Sequence, residues 1–230
     1  MAFMQLQADP FIAPVCTESI KILYQDDAIL LINKPSGLLS LSGKHPANKD
    51  SVHFRLVQDF TDARLLHRLD FGTSGIMLVA LNKAINGVLT KQFQAQSIAK
   101  TYTAMLQGYI TQAHGSIVAP IAKGEFPLQI VCHKTGKAAH TDYQLLGHQW
   151  LTKDGVSAPC SRVRFTPLTG RTHQLRIHSR ELGHPILGCD LYANDAAYFM
   201  AKRLMLHATS LAFNHPLSGE PMHADCPCPF

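Results

Sequence analysis

The sequence has no long apolar run and no basic leader at its start. None of its apolar stretches approaches the ~18 residues that a membrane-spanning helix requires, and the longest, such as residues 76–81, have the length of a strand. The first fourteen residues, MAFMQLQADPFIAP, contain two prolines and no positively charged residue, so they do not have the pattern of a signal peptide. We therefore expect a cytoplasmic protein with no membrane partner.

Cysteine and histidine do not occur at the spacings of a common metal site. The six cysteines are scattered apart from Cys226 and Cys228, and without a secretory leader we expect them to be reduced thiols. His223 lies near this pair, but structural zinc sites place paired cysteines about two to four residues apart and use a second pair of ligands. The thirteen histidines match no HExxH spacing. We expect no metal site.

Charged residues make up only 16% of the chain, while apolar residues make up 46%, a balance that excludes a disordered protein. The 230 residues lie within the range of a single domain, and only residues 1–19 have the character of an amino-terminal tail. We expect one domain over residues 20–230. The formal net charge of +5 favours polyanionic partners, although an excess of this size is weak evidence.

The periodicity of the apolar residues predicts an α+β fold. Residues 20–32 contain two strand-like runs around a turn at Asp26, and residues 75–81 form a buried strand. Helical spacing predicts one helix over residues 83–96 and another from His173 to Leu182. Further strands are predicted at residues 100–110, 141–146, 161–166 and 204–213. Runs of strands with few helices favour a largely antiparallel sheet over a βαβ repeat.

Two segments concentrate the residues that can perform chemistry. In LHRLDFGTSG, residues 66–75, Asp70 stands before a turn of small residues that lets another backbone come close. The pattern fits a catalytic carboxylate and an Asx-type turn at a strand end equally well. In residues 168–180, three arginines and two histidines suit phosphate contacts or pairing with an acid, although such charges ordinarily mark a solvated helix face.

Five ordered motifs resemble the RluA family of pseudouridine synthases. NKPSGLLS (33–40) is similar to the family's first motif, HRLDFGTSG (67–75) to its catalytic motif, and TGRTHQLRIH (169–178) to its arginine-bearing motif. GHPILG (183–188) and the segment at 203–220 are similar to its carboxy-terminal elements. The resemblance extends over about residues 20–221 of the chain. One departure is Cys189, which separates Gly188 from Asp190 where the pattern commonly runs from glycine directly to aspartate.

The resemblance implies the fold and the roles of single residues. It implies an α+β domain around a long, mixed, mainly antiparallel sheet with flanking helices and the active site in a central cleft. Asp70 corresponds to the catalytic aspartate, Arg176 to its paired arginine, and Tyr102 to the tyrosine that stacks on the target base. From the residues alone, a tyrosine on a strand is more often a core residue. The residues expected to contact RNA are Lys34, His67, Arg68, Arg171 and His173, of which Arg68 would fill the space left by a flipped nucleotide.

The implied reaction converts uridine into its isomer pseudouridine, so no cofactor is expected. The motifs resemble most closely the family members with dual specificity, which implies stem-loops of 23S rRNA and tRNA as substrates. The tail is too short for the separate amino-terminal RNA-binding domain of many relatives, and we expect a monomer that recognises structured RNA with its catalytic domain alone. Two alternatives from other classes are a non-catalytic RNA-binding factor, in which Asp70 has no role, and a metal-dependent hydrolase that uses the histidines.

Overall fold

A computed structural model describes residues 11–230, which contain twelve strands and four α-helices. Ten of the strands form one large sheet. The strands are β1 Lys21–Gln25, β2 Ile29–Lys34, β3 Arg64–Leu65, β4 Ser74–Ala80, β5 Ala99–Gln107, β6 His114–Val118, β7 Ile121–Lys123, β8 Gln129–Val131, β9 His140–Lys153, β10 Val156–Pro167, β11 Leu206–Asn214 and β12 Pro221–Asp225. The helices are α1 Val52–Leu56, α2 Lys83–Gln94, α3 Gln174–Glu181 and α4 Asp195–Phe199, with a 3₁₀ turn at Pro46–Asn48. None of these helices is long and apolar enough to cross a membrane.

The large sheet has ten strands, and its main path runs β1-β2-β4-β11-β5-β10-β9-β6. Strand β3 pairs with β4 and β12 with β11, while β7 and β8 form a separate hairpin. Of the ladders within residues 11–230, the β4–β11 pair is parallel and the others are antiparallel. The predicted α+β class with a long, mixed, mainly antiparallel sheet is confirmed.

The parallel contact at the centre of the sheet depends on a glycine. The first half of β11 pairs with the start of β4, so that Ala208 lies opposite Gly75, and its second half pairs with β12. Gly75 has φ +116°, and a Cβ there would lie 2.2 Å from the carbonyl oxygen of Ala208. Only glycine permits both this dihedral angle and this approach. The loop that precedes β4 is thereby brought to the middle of the sheet.

The core has two main halves that meet at Tyr102. One buried cluster contains the apolar residues of β2, β4 and α2, and the other contains those of β5, β10 and α3. Tyr102 is only partly buried and packs against both clusters. In the register of the central strands, Gly75 of β4 lies opposite Ala208 of β11, which lies opposite Tyr102 of β5. The junction of the two halves therefore coincides with the loop that contains Asp70.

Most of the predicted elements are confirmed, and their lengths show what the periodicity missed. The first hairpin, the buried strand β4, the helices α2 and α3 and the strand β5 lie where the pattern indicated. Strands β9 and β10 extend well beyond the predicted residues 141–146 and 161–166, because their outer halves are exposed and have no regular apolar face. The elements that we did not predict are short or polar: α1, α4, β3, β6, β7, β8 and β12.

The amino-terminal segment, residues 11–19, contains no helix or strand but is hydrogen-bonded to the domain. The side chain of Asn48 donates to the carbonyl of Phe11 at 2.6 Å and accepts from the amide of Ala13 at 2.8 Å. Arg55 donates to the carbonyls of Cys16 and Glu18, each at 2.6 Å. Residues 1–10 of the predicted tail lie outside the described residues, and the division at residue 19 stays a prediction.

Candidate active site

Asp70 lies in the loop between β3 and β4, and its carboxylate is 26% exposed. The loop closes on itself through a hydrogen bond of 3.1 Å from the amide of Thr73 to the carbonyl of Asp70. The side chain of Leu204 packs so tightly on Gly72 that a Cβ there would lie 2.9 Å from it. The carboxylate is thus presented to solvent from a loop whose own backbone is closely packed.

Residues 33–40, NKPSGLLS, form a cradle for the loop that contains Asp70. The hydroxyl of Ser40 donates to the carbonyl of Leu69 at 2.7 Å and accepts from the amide of the same residue at 3.1 Å. On the other side of Asp70, the hydroxyl of Ser36 donates to the carbonyl of Gly72 at 2.7 Å. The cradle therefore fixes the backbone both before and after the acid.

Lys34 completes the cradle with a buried ammonium group. This position contradicts its predicted contact with RNA. Its side chain is fully buried, and its ammonium group donates to the carbonyls of Pro35, Leu38 and Phe71 at 2.9, 2.7 and 3.2 Å. Burial lowers the pKa of Lys34 to about 7, and the charge of Asp70 opposes this shift. A side chain without solvent access cannot bind a phosphate, so the expectation was wrong and Lys34 supports the loop instead.

The adjacent residues His67 and Arg68 have opposite surroundings. The Nε2 atom of His67 accepts a hydrogen bond of 3.1 Å from the amide of Leu78, and its ring lies 5.2 Å from that of Phe93. Burial, and then the charge of Lys100, lower the pKa of His67 to about 4, which keeps the ring neutral. Arg68 is exposed, and its guanidinium has no hydrogen-bond or ion-pair partner within residues 11–230. The geometry supports an RNA contact for Arg68 and a structural role for His67.

Arg176 of α3 contacts Asp70 in the loop before β4. Its Nη1 atom lies 3.6 Å from a carboxylate oxygen of Asp70, Nη2 forms a short ion pair with Asp190, and Nε donates to the thiol of Cys189 at 3.3 Å. The side chain is 5% exposed and its guanidinium lies 5.1 Å from the ring centroid of Tyr192. Burial acts to lower the pKa of Arg176, but the neighbouring Cys189 and acids outweigh it and raise the pKa. The arginine is a fixed positive charge.

Helix α3 and the turn before it are held by buried polar side chains as well as by Leu175 and Ile177, which pack in the core. Gln174 accepts from Thr169 and from the amide of Arg171, and it donates to the carbonyl of His140 and the hydroxyl of Thr141, over 2.8–3.0 Å. All its hydrogen-bonding capacity is used, which is what a buried amide requires. The arginine-bearing segment is thereby fixed to β9.

The other predicted residues of this segment differ in exposure. Arg171 is exposed, and its Nε atom donates to the carbonyl of Ala138 at 2.9 Å, which leaves its Nη atoms open to solvent. His173 precedes α3 at φ +56°, and its Nδ1 atom lies 2.7 Å from the hydroxyl of Tyr192. That hydroxyl also accepts from the amide of Gln129 at 2.9 Å, and the tautomer of His173 determines which of the two groups donates in the bond between them. Burial lowers the pKa of His173, which favours a neutral ring.

Tyr102 of β5 lies close enough to Asp70 to be influenced by its charge. Burial and the negative charge of Asp70 together raise the pKa of its phenol, so the hydroxyl stays protonated. Within residues 11–230 this hydroxyl has no hydrogen-bond partner, and no fully buried side-chain oxygen lacks one, so the hydroxyl is accessible to solvent. The structure therefore brings together the three residues expected to perform the chemistry, Asp70, Tyr102 and Arg176.

The residues that contact these three or the loop of Asp70 were not predicted from the sequence. Ser36 and Ser40 stand inside a recognised motif, but nothing in the pattern shows that their hydroxyls bind the neighbouring loop. Asp190 and Cys189 had a signal, because the extra residue after Gly188 departs from the family pattern. Among residues 11–230, no three His, Cys, Asp or Glu side chains are grouped so as to hold a metal ion.

Comparison with known proteins identifies the family to which this chain belongs. The family described as RNA pseudouridylate synthase matches residues 28–181, more than half of the chain and the stretch that contains Asp70, Tyr102 and Arg176. The chain belongs to the RNA pseudouridylate synthase family. It is therefore an RNA pseudouridine synthase, as the resemblance of its motifs implied.

Curated relatives align with this synthase over almost its whole length. It is 46% identical over 211 residues to the dual-specificity RNA pseudouridine synthase RluA of Yersinia pestis, an alignment that covers 91% of the chain and 99% of the relative. Identity to the RluA of Escherichia coli K12 is 43%, over 91% of the chain and 93% of the relative. The similarity therefore extends over nearly the full length of both proteins and is not confined to the motifs.

Two solved human structures have the same fold. Human RNA Pseudouridylate Synthase Domain Containing 1 superposes with a TM-score of 0.78 at 31% identity, covering 94% of the synthase and 86% of the human chain. Human RNA Pseudouridylate Synthase Domain Containing 4 superposes with a TM-score of 0.69 at 24% identity, covering 91% and 88% of the two chains. The central sheet described above is therefore the fold of this family.

Proposed function

We propose that this synthase isomerises loop uridines in both 23S rRNA and a tRNA anticodon stem-loop. The support is the length and identity of its match to the dual-specificity relatives, of which it covers 93–99%. The observation that carries the catalytic part is the ion pair of Arg176 with Asp70, a charged acid at the centre of the sheet. The family match favours this function over an RNA-binding factor or a metal-dependent hydrolase.

Asp70 acts on the ribose of the target nucleotide. The reaction breaks the N1–C1′ bond, rotates the uracil and joins C5 to C1′, so substrate and product have the same atoms. The carboxylate either adds to C1′ or removes the 2′ proton, and both routes require it to be ionised. A guanidinium near a partly buried carboxylate favours the charged form, which is the role we assign to Arg176.

The target base must leave its stack before Asp70 can reach the sugar, at a cost of a few kcal/mol. We assign Tyr102 to stack on the flipped base, since its ring lies at the junction of the two core halves and is only partly buried. Arg68, exposed and unpaired within residues 11–230, is suited to fill the space that the nucleotide vacates. Base stacking of this kind is worth roughly 1–3 kcal/mol per base.

Contacts to the RNA backbone come from polar side chains near Asp70 that are at least partly exposed. Arg171 presents its Nη atoms to solvent, and His173, whose charge interacts with that of Arg176, uses its Nδ1 atom in the hydrogen bond with Tyr192 and leaves Nε2 for an RNA contact. Such contacts fix the register of an RNA without reading its sequence. We further propose that the synthase is a cytoplasmic monomer and that its catalytic domain alone recognises a compact stem-loop.

The test is tritium release from RNA that contains 5-tritiated uridine. Isolated hairpins of the 23S rRNA and tRNA type should both release tritium, with and without a chelator, and Asp70→Asn should release none while it binds RNA within about threefold of the parent affinity. Modification of intact ribosomal particles only would contradict recognition of a stem-loop by this domain. Residual turnover of Asp70→Asn near the parent rate would contradict the catalytic assignment itself.

A further inference from the structure

Arg176 has a second acid partner in addition to Asp70. Asp190 forms a short ion pair with Nη2, and the thiol of Cys189 accepts from Nε at 3.3 Å. Nε and Nη2 lie along one edge of the guanidinium, the edge that binds a carboxylate in bidentate fashion. In this chain a thiol and a carboxylate from consecutive residues share that edge.

Only the remaining nitrogen, Nη1, is directed at Asp70. The distance of 3.6 Å between them is that of an ion pair and exceeds a hydrogen bond. Within residues 11–230 the carboxylate of Asp70 accepts no hydrogen bond at all. Asp70 therefore feels the charge of Arg176 while both of its oxygens stay available to a ribose.

The residues that hold Arg176 are themselves rigidly placed. Gly188 has φ +69°, and a Cβ there would lie 1.9 Å from the carbonyl oxygen of Arg203, so the turn is packed directly on that backbone. The amide of Gly188 donates to the carbonyl of Ala197, and the amide of Leu187 donates to the carbonyl of Met105, both at 2.9 Å. Met105 belongs to β5, the strand of Tyr102. The turn is thus part of the framework of the site.

We propose that Cys189 and Asp190 are positioning residues that hold Arg176 at a distance from Asp70. A guanidinium released from this turn would swing to Asp70 and form the bidentate pair that arginine prefers with a carboxylate. That pair would occupy both oxygens of Asp70 and slow the attack on the ribose. The inference rests on the proposed roles of Asp70 and Arg176, and it adds residues that the family pattern does not place here.

A direct role of Asp190 in RNA binding is a different proposal with a different result. The carboxylate is 62% exposed, and a negative charge beside an RNA backbone repels phosphate. Removal of an acid of that kind would strengthen RNA binding. Our proposal instead places the whole effect of the substitution on the rate of the chemical step.

The test is single-turnover tritium release with the synthase in excess over a stem-loop substrate. For Asp190→Ala we expect the maximal rate to fall at least about tenfold, while the half-saturating concentration stays within about threefold. Asp190→Glu should restore most of the rate, because the longer carboxylate can still reach Nη2. Cys189→Ser keeps an acceptor for Nε and should stay close to the parent, whereas Cys189→Ala should lose several-fold in rate.

Two controls make the result decisive. Asp62→Asn removes an exposed acid that has no partner within residues 11–230, and it should leave the rate unchanged. Asp70→Asn, measured in the same assay, separates the two levels of the argument, because activity in that variant overturns the proposed site as a whole. With Asp70→Asn inactive, a rate of folded Asp190→Ala within about twofold of the parent, or a loss confined to RNA affinity, overturns the positioning role alone. If Asp190→Ala does not fold, Asp190→Leu, which also removes the acceptor but fills a similar volume, decides by the same criteria.

Discussion

The two sides of Asp70 are built differently. On one side, residues 33–40 hold the loop through its main chain, with hydrogen bonds to the carbonyls of Leu69, Phe71 and Gly72. On the other side, Arg176 approaches the carboxylate itself and is held in turn by side chains. The first side, which we call the cradle, determines where the acid is. The second, which we call the charge side, places a positive charge 3.6 Å from its carboxylate.

The side chains of the cradle are more deeply buried than the acids of the charge side. Lys34 and Ser40 of the cradle are 0% and 5% exposed, so a lost hydrogen bond there leaves buried groups unpaired. On the charge side, Asp70 and Asp190 are 26% and 62% exposed, so water can replace a lost partner. Substitutions in the cradle should therefore reduce both stability and turnover, whereas those on the charge side should reduce turnover with little effect on stability.

The largest effect is expected from Arg176→Met, which removes the charge and keeps an apolar stem in the same space. Turnover in the tritium-release assay should fall at least about a hundredfold, because a preorganised charge of this kind supplies about that much. The unfolding temperature should change little, since both acids can be hydrated. Arg180→Met, on the same helix but paired with Glu181 at the surface, is the matched control. A variant with near-parent turnover would remove the ion pair from the mechanism.

A smaller effect on turnover and a larger one on stability are expected from Lys34→Met. Three buried carbonyls lose their donor, which should lower the free energy of unfolding by about 3 kcal/mol and turnover by about tenfold. Denaturant unfolding and tritium release measure the two quantities on one preparation. Lys83→Met, an exposed lysine at the start of α2, serves as the control. Lost turnover with unchanged stability would contradict the division into two sides.

Ser40→Ala tests the part of the cradle that binds the main chain of Leu69, the residue before Asp70. The hydroxyl both donates to and accepts from Leu69, so its loss should lower the free energy of unfolding by about 1.5 kcal/mol and turnover by a few-fold. Ser42 lies two residues later, is exposed and donates to the carbonyl of Lys49. Ser42→Ala should therefore have no measurable effect on turnover. Equal effects of the two substitutions would show that loop rigidity in general, and not the bond to Leu69, matters.

The sequence predicted the charge side better than the cradle. Charged residues such as Arg176 and Asp70 are conspicuous, and their motifs identified the family and the pair. Lys34 was assigned to RNA because lysine is almost never fully buried, so a basic residue in a motif is expected at the surface. Its burial arises from the packing of β2, β4 and the loop at Asp70, which are distant in the sequence. The periodicity of single segments contains no information about such contacts.

The same limit applies to the fold. Strands with one apolar face, such as β5, and helices with regular spacing, such as α2, were predicted from local patterns. Helix α3 was also predicted, but its burial depends on Gln174 and other polar side chains whose partners lie on β9 and could not be foreseen. The short strands β7 and β8 have only three residues each, too few for a period to be detected. Tertiary contacts decide these elements.

The smallest expected effect is a dependence of stability on pH that belongs to the cradle alone. Burial lowers the pKa of Lys34 to about 7 in the folded protein, against the opposing charge of Asp70, while an unfolded lysine titrates near 10.4. Between these values the unfolded chain binds a proton that the folded chain does not, so the free energy of unfolding must rise with pH.

The titration of Lys34 should raise the free energy of unfolding by about 1 kcal/mol between pH 7 and pH 8. Well below pH 7 this dependence on pH should vanish, because Lys34 is protonated in both the folded and the unfolded state. Denaturant unfolding of the parent and of Lys34→Met at several pH values isolates it, because all other groups cancel in the difference. The difference should widen as pH rises. The corresponding difference for Arg176→Met should stay flat, since the pKa of Arg176 is raised and it is charged in both states throughout. A flat difference for Lys34→Met as well would show that its three carbonyl partners keep the ammonium protonated, and the cradle would then hold Asp70 with a permanent charge.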